Sequence, residues 1–182
     1  MRQTFAWALL LAPVFTMAGN WITASNGCKL WNDEPQANES VQWSGACVAG
    51  KASGPGRAEW LLNGKVAEWY EGDYRAGKMD GKGTLQYKDG NRYQGDMRKN
   101  RMYGEGSFTF ADGVRYTGTI ANDAWTGFGT LSLPRGHDNI ALFEGKGRWV
   151  NDRYEVSGCW EDDDLIVATR DGANCGKGKQ RR

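Results

Sequence analysis

The sequence has few of the residues on which catalysis and metal binding usually depend. Its 182 residues include one histidine, His137, and four cysteines that never stand at CxxC spacing, so a zinc site is disfavoured. We interpret His137 as a surface-loop residue, because no catalytic partner is identifiable. The acidic run at 161–164 is interpreted as solvated surface, since it provides neither two distinct carboxylate environments nor the spacing of a calcium loop. We therefore expect a non-enzymatic protein without metal or cofactor.

A strong net charge and a membrane-spanning run are also missing. The formal net charge is +1, which gives no general attraction to nucleic acid, so no nucleic-acid partner is expected. The apolar run at 5–17 is interrupted by Pro13 and is shorter than the ~20 residues that span a bilayer. Arg2 before this run and the small residues up to Ala18 are typical of a signal peptide, cleaved near Ala18. We expect export to a compartment such as the bacterial periplasm, with no transmembrane anchor in the mature form.

All four cysteines follow the proposed cleavage point, and an even number in an exported chain is expected to form disulfides. Three pairings are possible. Proximity in sequence favours Cys28 with Cys47 and Cys159 with Cys175, which would close one loop near each end of the domain.

Glycine and aromatic residues are abundant, with 26 Gly and an aromatic share of 12%, and they recur in a pattern. An aromatic-x-Gly triplet is followed eleven residues later by Gly-x-Gly, and then by a turn ending in Gly. The triplets begin at Trp43, Tyr70, Tyr93 and Tyr116, the Gly-x-Gly motifs at Gly54, Gly81, Gly104 and Gly127, and the turns end at Gly64, Gly90, Gly113 and Gly136. The last three units are 23 residues apart, which indicates a repeat protein.

Within a unit, apolar and polar residues alternate with period two, as in a strand. Tyr70, Gly72 and Tyr74 share one face, whereas Glu71 and Asp73 share the other. Each unit is therefore predicted to be a β-hairpin, and about eight to ten strands would stack into one sheet. Glycines on the apolar face leave room for neighbouring aromatic rings to lie flat across the strands.

These residues resemble the MORN repeat family, over 43–136. The resemblance implies an all-β fold, an elongated, twisted, single-layer antiparallel sheet of stacked hairpins, whose ends the disulfides would tie. The predicted organisation is a signal peptide at 1–18, an N-terminal cap segment at 19–42, repeats at 43–136, a capping hairpin and tail at 137–176 with the hairpin at 143–160, and a disordered basic tail at 177–182. Cys47 stands in the slot that Tyr74 occupies in the next unit, so it should point into the apolar face.

A one-layer sheet cannot cover its own apolar face. Either the flanking segments 20–41 and 165–176 cover it, or its rings line a groove for a partner. The candidate binding residues on this face are Trp43, Trp60, Tyr70, Tyr74, Tyr87, Tyr93, Phe108, Phe110 and Tyr116.

Three functions are compatible with the sequence. The favoured hypothesis is a protein-binding immunity or inhibitor protein that neutralises a toxin or enzyme in the periplasm, since a small rigid exported sheet offers a preorganised surface. The alternative is a scaffold that binds anionic phospholipid or another envelope component, suggested by the aromatic face, the basic tail and the lipid binding proposed for MORN-like proteins. An enzyme with a site near Trp160 is the least favoured.

Overall fold

The computed structural model describes residues 19–173 and Cys175. The predicted signal peptide and the basic tail lie outside the described residues. Within them the chain forms one 3-10 helix, Asp138–Phe143, and fourteen strands. The strands are β1 (Asn20–Thr23), β2 (Lys29–Asn32), β3 (Glu39–Trp43), β4 (Ala46–Val48), β5 (Lys51–Leu62), β6 (Lys65–Arg75), β7 (Lys78–Gln86), β8 (Arg92–Arg98), β9 (Arg101–Thr109), β10 (Arg115–Ala121), β11 (Ala124–Pro134), β12 (Arg148–Val150), β13 (Arg153–Glu161) and β14 (Asp164–Ala168). Among the described residues, none forms a helix with the length and apolarity that a bilayer crossing requires.

All strands belong to one open sheet, in the order β1-β2-β5-β6-β7-β8-β9-β10-β11-β13-β12, with β3 and β4 paired to β5 and β14 paired to β13. Sequential strands from β5 to β11 pair antiparallel. The predicted all-β sheet of stacked hairpins is confirmed. The structure differs from the prediction in two respects. Strand β2 pairs with β5 in parallel at Lys29 and Lys51, and the flanking segments add strands, so the number of strands exceeds the expected eight to ten.

The leading tyrosine of each unit lies across a glycine of the following strand, as the alternation predicts. Tyr93 is 0% exposed, and a methyl group added at Gly106 would lie 2.6 Å from its hydroxyl oxygen. The same hydroxyl donates a hydrogen bond of 2.7 Å to the Asp96 carbonyl. Each buried ring removes 150 to 250 Å² from water, worth ~4 to 6 kcal/mol before the entropy of ordering is subtracted. We use the term ring seat for a glycine on which such a tyrosine ring packs. The ring seats form the centre of the core.

A second repeated contact joins the tight turns along one end of the hairpins. In each of these turns, the side chain of the second residue accepts a hydrogen bond. The donor is a backbone N–H of the strand that follows the previous turn of the same row. The acceptors are Asn100, Asp123 and Asp163, their donors are Met79, Met102 and Trp125, and the distances are 2.8, 2.7 and 2.7 Å. The acidic run at 161–164 is therefore not only solvated surface, because Asp163 fastens the last turn to β11.

Both predicted disulfides are present, with Cα atoms 5.6 Å apart for Cys28 and Cys47 and 5.2 Å apart for Cys159 and Cys175. Cys28 is buried. Cys47, however, is exposed, as are the other two residues of the short strand β4. The prediction that Cys47 points into the apolar core is wrong, although its bridge ties the N-terminal segment to the sheet.

The C-terminal hairpin begins later than predicted. Phe143 ends the 3-10 helix, so the hairpin consists of β12 and β13 and starts at Arg148. The Tyr154 ring packs against Gly147, whose N–H donates a 3.0 Å hydrogen bond to the Tyr154 hydroxyl. Val156 is fully buried opposite Leu131. This end of the sheet therefore repeats the ring-on-glycine packing with a different set of residues.

Candidate functional site

The structure divides the nine candidate binding rings into two groups. Six are buried and belong to the core: Trp43, Trp60, Tyr70, Tyr74, Tyr93 and Tyr116. Three are half-buried and packed against that core: Tyr87, Phe108 and Phe110. Burial raises the pKa of Tyr87, as expected for a hydroxyl group that is partly removed from water. A broad, open aromatic groove is therefore not what the fold presents.

The N-terminal segment covers part of the apolar face and leaves a cavity beside it. Trp31 donates a backbone hydrogen bond of 2.8 Å to the Gly77 carbonyl, and the Asn100 side chain donates to the Trp31 carbonyl at 3.3 Å and to the Asp33 carboxylate at 3.1 Å. These contacts hold β2 along the turns of the hairpins. The N-terminal segment therefore covers part of this face, and a cavity remains beside it.

The cavity has a volume of about 460 Å³. Aromatic side chains and carboxylates dominate its wall, and three of the rings are among the nine candidates. The aromatic lining residues are Trp31, Trp60, Tyr74 and Tyr87, the acidic ones are Asp33, Glu34, Glu39, Glu68 and Asp89, and the basic ones are Lys88 and Arg101. We call this space the aromatic–acidic cavity.

Strand pairing explains how these side chains meet. On β5, Trp60 lies between Val41 of β3 and Glu68 of β6 in the register of the sheet. The chain before β3 is fixed by Glu39, whose carboxylate accepts hydrogen bonds from the Asn32 side chain at 2.7 Å and from a backbone N–H at 3.3 Å. The outer wall of the cavity is therefore tied to the same strands that provide its floor.

Glu68 is the unusual residue of the cavity. It stands two residues before the leading tyrosine of its unit, where the corresponding residues of the next units are Asn91 and the buried Val114. Desolvation raises the pKa of the half-buried Glu68 carboxyl, and the negative charge of Glu39 raises it further. Among residues 19–173 no cation forms an ion pair with Glu68.

The basic residues of the wall offset only part of its negative charge. Arg101 forms an ion pair of 2.8 Å with Asp123; this partner, first, and the charges of Asp33 and Glu34 raise the pKa of Arg101. Lys88 is exposed. Asp33 accepts a 2.8 Å hydrogen bond from the Trp31 indole, which leaves its charge in place. The cavity therefore has more acidic than basic residues next to aromatic side chains, a combination that suits a cationic group.

The histidine has a partner that the sequence did not reveal. His137 Nε2 lies 3.2 Å from Asp112 Oδ2, and its Nδ1 accepts a hydrogen bond from the Asn139 N–H, which caps the 3-10 helix. The hydrogen bond from the Val114 N–H is the main cause that lowers the pKa of Asp112; desolvation opposes it, and His137 lowers the pKa further. His137 therefore has a structural role at a loop junction. In the described part of the chain, no three His, Cys, Asp or Glu residues are placed to hold a metal ion.

Sequence reasoning identified three of the cavity's rings but none of its carboxylates. One signal was available for Glu68, since it shares the alternating face of Tyr70, Gly72 and Tyr74. The acidic residues at 33–39 gave no such signal, because only the folded N-terminal segment brings them to the sheet.

Comparison with known proteins gives one family. The MORN repeat family matches residues 70–92, 93–115 and 146–164, whereas no curated protein matches the chain. The third match falls on the predicted capping hairpin, and the Tyr116 unit between the matches has the same buried ring across a glycine, Gly129. MORN repeats are commonly modules that bind proteins or membranes, which agrees with a non-catalytic binding role. The repeats and the fold together show that the chain belongs to the MORN-repeat family.

Proposed function

We propose that the protein is an exported, non-catalytic binding module that holds a protein partner at the aromatic–acidic cavity. In its sharpest form, the proposal is an immunity or inhibitor protein that neutralises a toxin or enzyme acting in the periplasm. The observation that carries it is the cavity itself, about 460 Å³ lined by four aromatic rings and five carboxylates. Concave sites that combine aromatic surface with a few charged groups are typical binding sites.

Preorganisation supports this proposal. The floor residues Trp60 and Tyr74 are buried, and the disulfide between Cys28 and Cys47 ties the chain next to the outer wall. A partner would therefore meet side chains that are already ordered, and little conformational entropy would be lost on binding. Two disulfides within the described chain also fit an oxidising compartment such as the periplasm.

The charge of the cavity favours a protein over an anionic membrane. Phosphate headgroups are attracted by clusters of basic residues, whereas five of the charged residues lining this cavity are acidic and two are basic. The scaffold that binds anionic phospholipid thus receives no support from this surface.

Capture from an envelope extract tests the proposal. The wild-type chain should retain one protein in stoichiometric amount, and a Tyr87→Ala variant should lose it because the cavity loses a wall. Trp149→Ala is the matched control, since Trp149 is an exposed ring at the other end of the sheet. The captured protein should then lose its own activity when the wild-type chain is added in equimolar amount. Absence of a stoichiometric partner, or a partner whose activity is unchanged, would overturn the proposal.

A further inference from the structure

The aromatic–acidic cavity contains a carboxylate that the fold does not need. At the position of Glu68, the Tyr93 unit has Asn91, the Tyr116 unit has Val114, which packs in the core, and β13 has Tyr154 two residues before Val156. An apolar side chain at this place would bury without the desolvation cost that a carboxylate bears. Glu68 is charged where the residues at these equivalent positions are neutral, and a residue that departs in this way from the pattern of its own repeat is expected to serve function.

The rings near Glu68 have no cation of their own. At the neighbouring edge, Lys51 lies 4.5 Å from the centre of the Trp21 ring and Lys78 lies 4.8 Å from that of Trp31, so those rings already hold intramolecular cations. Of the other aromatic lining residues, Trp60 and Tyr74 are buried, whereas Tyr87 is half-buried. Within the described residues, no cation lies over the Tyr87 ring. The cavity thus combines an unpaired carboxylate with the accessible part of the Tyr87 ring.

Charge complementarity specifies the occupant. A cation that enters the cavity gains from the excess of carboxylates in the wall, five acidic residues against two basic ones, and from the negative face of the Tyr87 ring. A guanidinium group fits this wall better than an ammonium group, because it is more weakly hydrated, stacks on aromatic faces and donates two parallel hydrogen bonds to a carboxylate. Its planar shape allows both contacts at once.

We propose that the aromatic–acidic cavity receives an arginine side chain of the partner protein, with the guanidinium group bound to Glu68 beside Tyr87. This inference rests on the proposed function and names the chemistry that the partner presents. The acidic residues of the N-terminal segment, Asp33 and Glu39, strengthen the attraction from the opposite wall. The arginine is an anchor residue, buried at the centre of the interface, where most of the binding energy of such surfaces is concentrated.

A short peptide isolates this contact from the rest of the interface. The full chain is titrated with acetyl-Gly-Arg-Gly-amide and with the same peptide carrying citrulline, which has nearly the same shape but no charge. Backbone and indole N–H shifts measured by NMR report both the affinity and the place of binding. We expect the arginine peptide to shift resonances of Trp60 and Tyr87 and to bind at least about tenfold more tightly than the citrulline peptide.

Two variants test whether the carboxylate of Glu68 binds the arginine side chain. Glu68→Gln should weaken binding of the arginine peptide about tenfold or more. Glu71→Gln is the matched control, because Glu71 is an exposed residue of the same strand on the opposite face, and it should leave the affinity within about twofold. Equal binding of both peptides, or equal effects of both variants, would overturn the inference. The proposed function is tested independently of this inference: it is overturned if no stoichiometric protein partner is captured.

Discussion

Replacing Gly106 by alanine tests the packing on which the whole sheet depends. The added methyl group would lie 2.5 Å from the Cε2 atom and 2.8 Å from the Cζ atom of the Tyr93 ring, closer than carbon atoms pack. Gly106 is not among the glycines with positive φ, so its backbone accepts alanine without strain. The Tyr93 ring must therefore move, and its 2.7 Å hydrogen bond to the Asp96 carbonyl must lengthen or break.

The expected cost combines three contributions. Overpacking a filled core costs about 1 to 3 kcal/mol, and the lost hydrogen bond costs about 0.5 to 1.5 kcal/mol. Alanine in a strand regains about 0.5 to 1 kcal/mol relative to glycine. We expect Gly106→Ala to lower the free energy of unfolding by about 2 kcal/mol, the middle of the range of about 0.5 to 4 kcal/mol that these contributions span. Urea unfolding followed by circular dichroism measures this value, and a chain of this size should also melt about 5 to 10 °C lower.

A double-mutant cycle shows whether the ring is the cause. Leucine at position 93 is too short to reach across the strand, so Gly106→Ala made in a Tyr93→Leu background should cost less than about 0.5 kcal/mol. The difference between the two costs is the coupling energy of ring and glycine. If Gly106→Ala costs the same with and without the ring, the reasoning from ring seats is refuted.

Three further predictions concern the turns, the cavity and the end of the sheet. Asp123→Ala should lower the free energy of unfolding, measured by urea titration, by about 1 to 3 kcal/mol, because the Met102 N–H loses its acceptor and alanine disfavours the positive φ of this turn. Asp123→Asn should stay near wild type, by analogy with Asn100 in the preceding turn. Equal losses in the two variants would contradict this explanation. Glu68→Gln should raise the free energy of unfolding at neutral pH, since burial and Glu39 raise the pKa of Glu68 and its ionisation therefore opposes folding. The stability difference between variant and wild type should narrow as the pH falls through the raised pKa of Glu68. Thermal melts at a series of pH values that show a constant or reversed difference would contradict this prediction. Replacing Cys159 and Cys175 together by serine should cost about 3 kcal/mol, the value for a closed loop of this length, and a loss below about 1 kcal/mol in urea would show that the bridge adds little.

Sequence periodicity predicted the repeated part of the fold well. The spacing of Tyr70, Tyr93 and Tyr116 and the alternation around them are local, so hairpins and ring seats follow from residues less than a repeat apart. The disulfide pairs were also predicted from proximity. The partner of His137 was missed, because Asp112 is 25 residues away and no repeat pattern relates the two.

The candidate site was predicted only in part, for the same reason. Trp60, Tyr74 and Tyr87 were identified as aromatic residues of one face, but their burial depends on neighbouring strands and on the N-terminal segment. The structural use of Asp163 was missed as well, because its donor, the Trp125 N–H, is 38 residues away. Contacts at such separations are set by strand order, which side-chain periodicity does not encode.

By itself, the sequence determined the hairpin repeat, since a strand period of two and a glycine opposite each ring act over a few residues and need no distant partner. The tertiary structure decided where the apolar face stays covered and where it opens. The segment carrying Asp33 and Glu39 is placed by its contacts with turns that are tens of residues away, and this placement turns a row of aromatic residues into an acidic cavity. Function is inferred from that cavity because aromatic side chains, carboxylates and a concave shape come together there once the chain has folded.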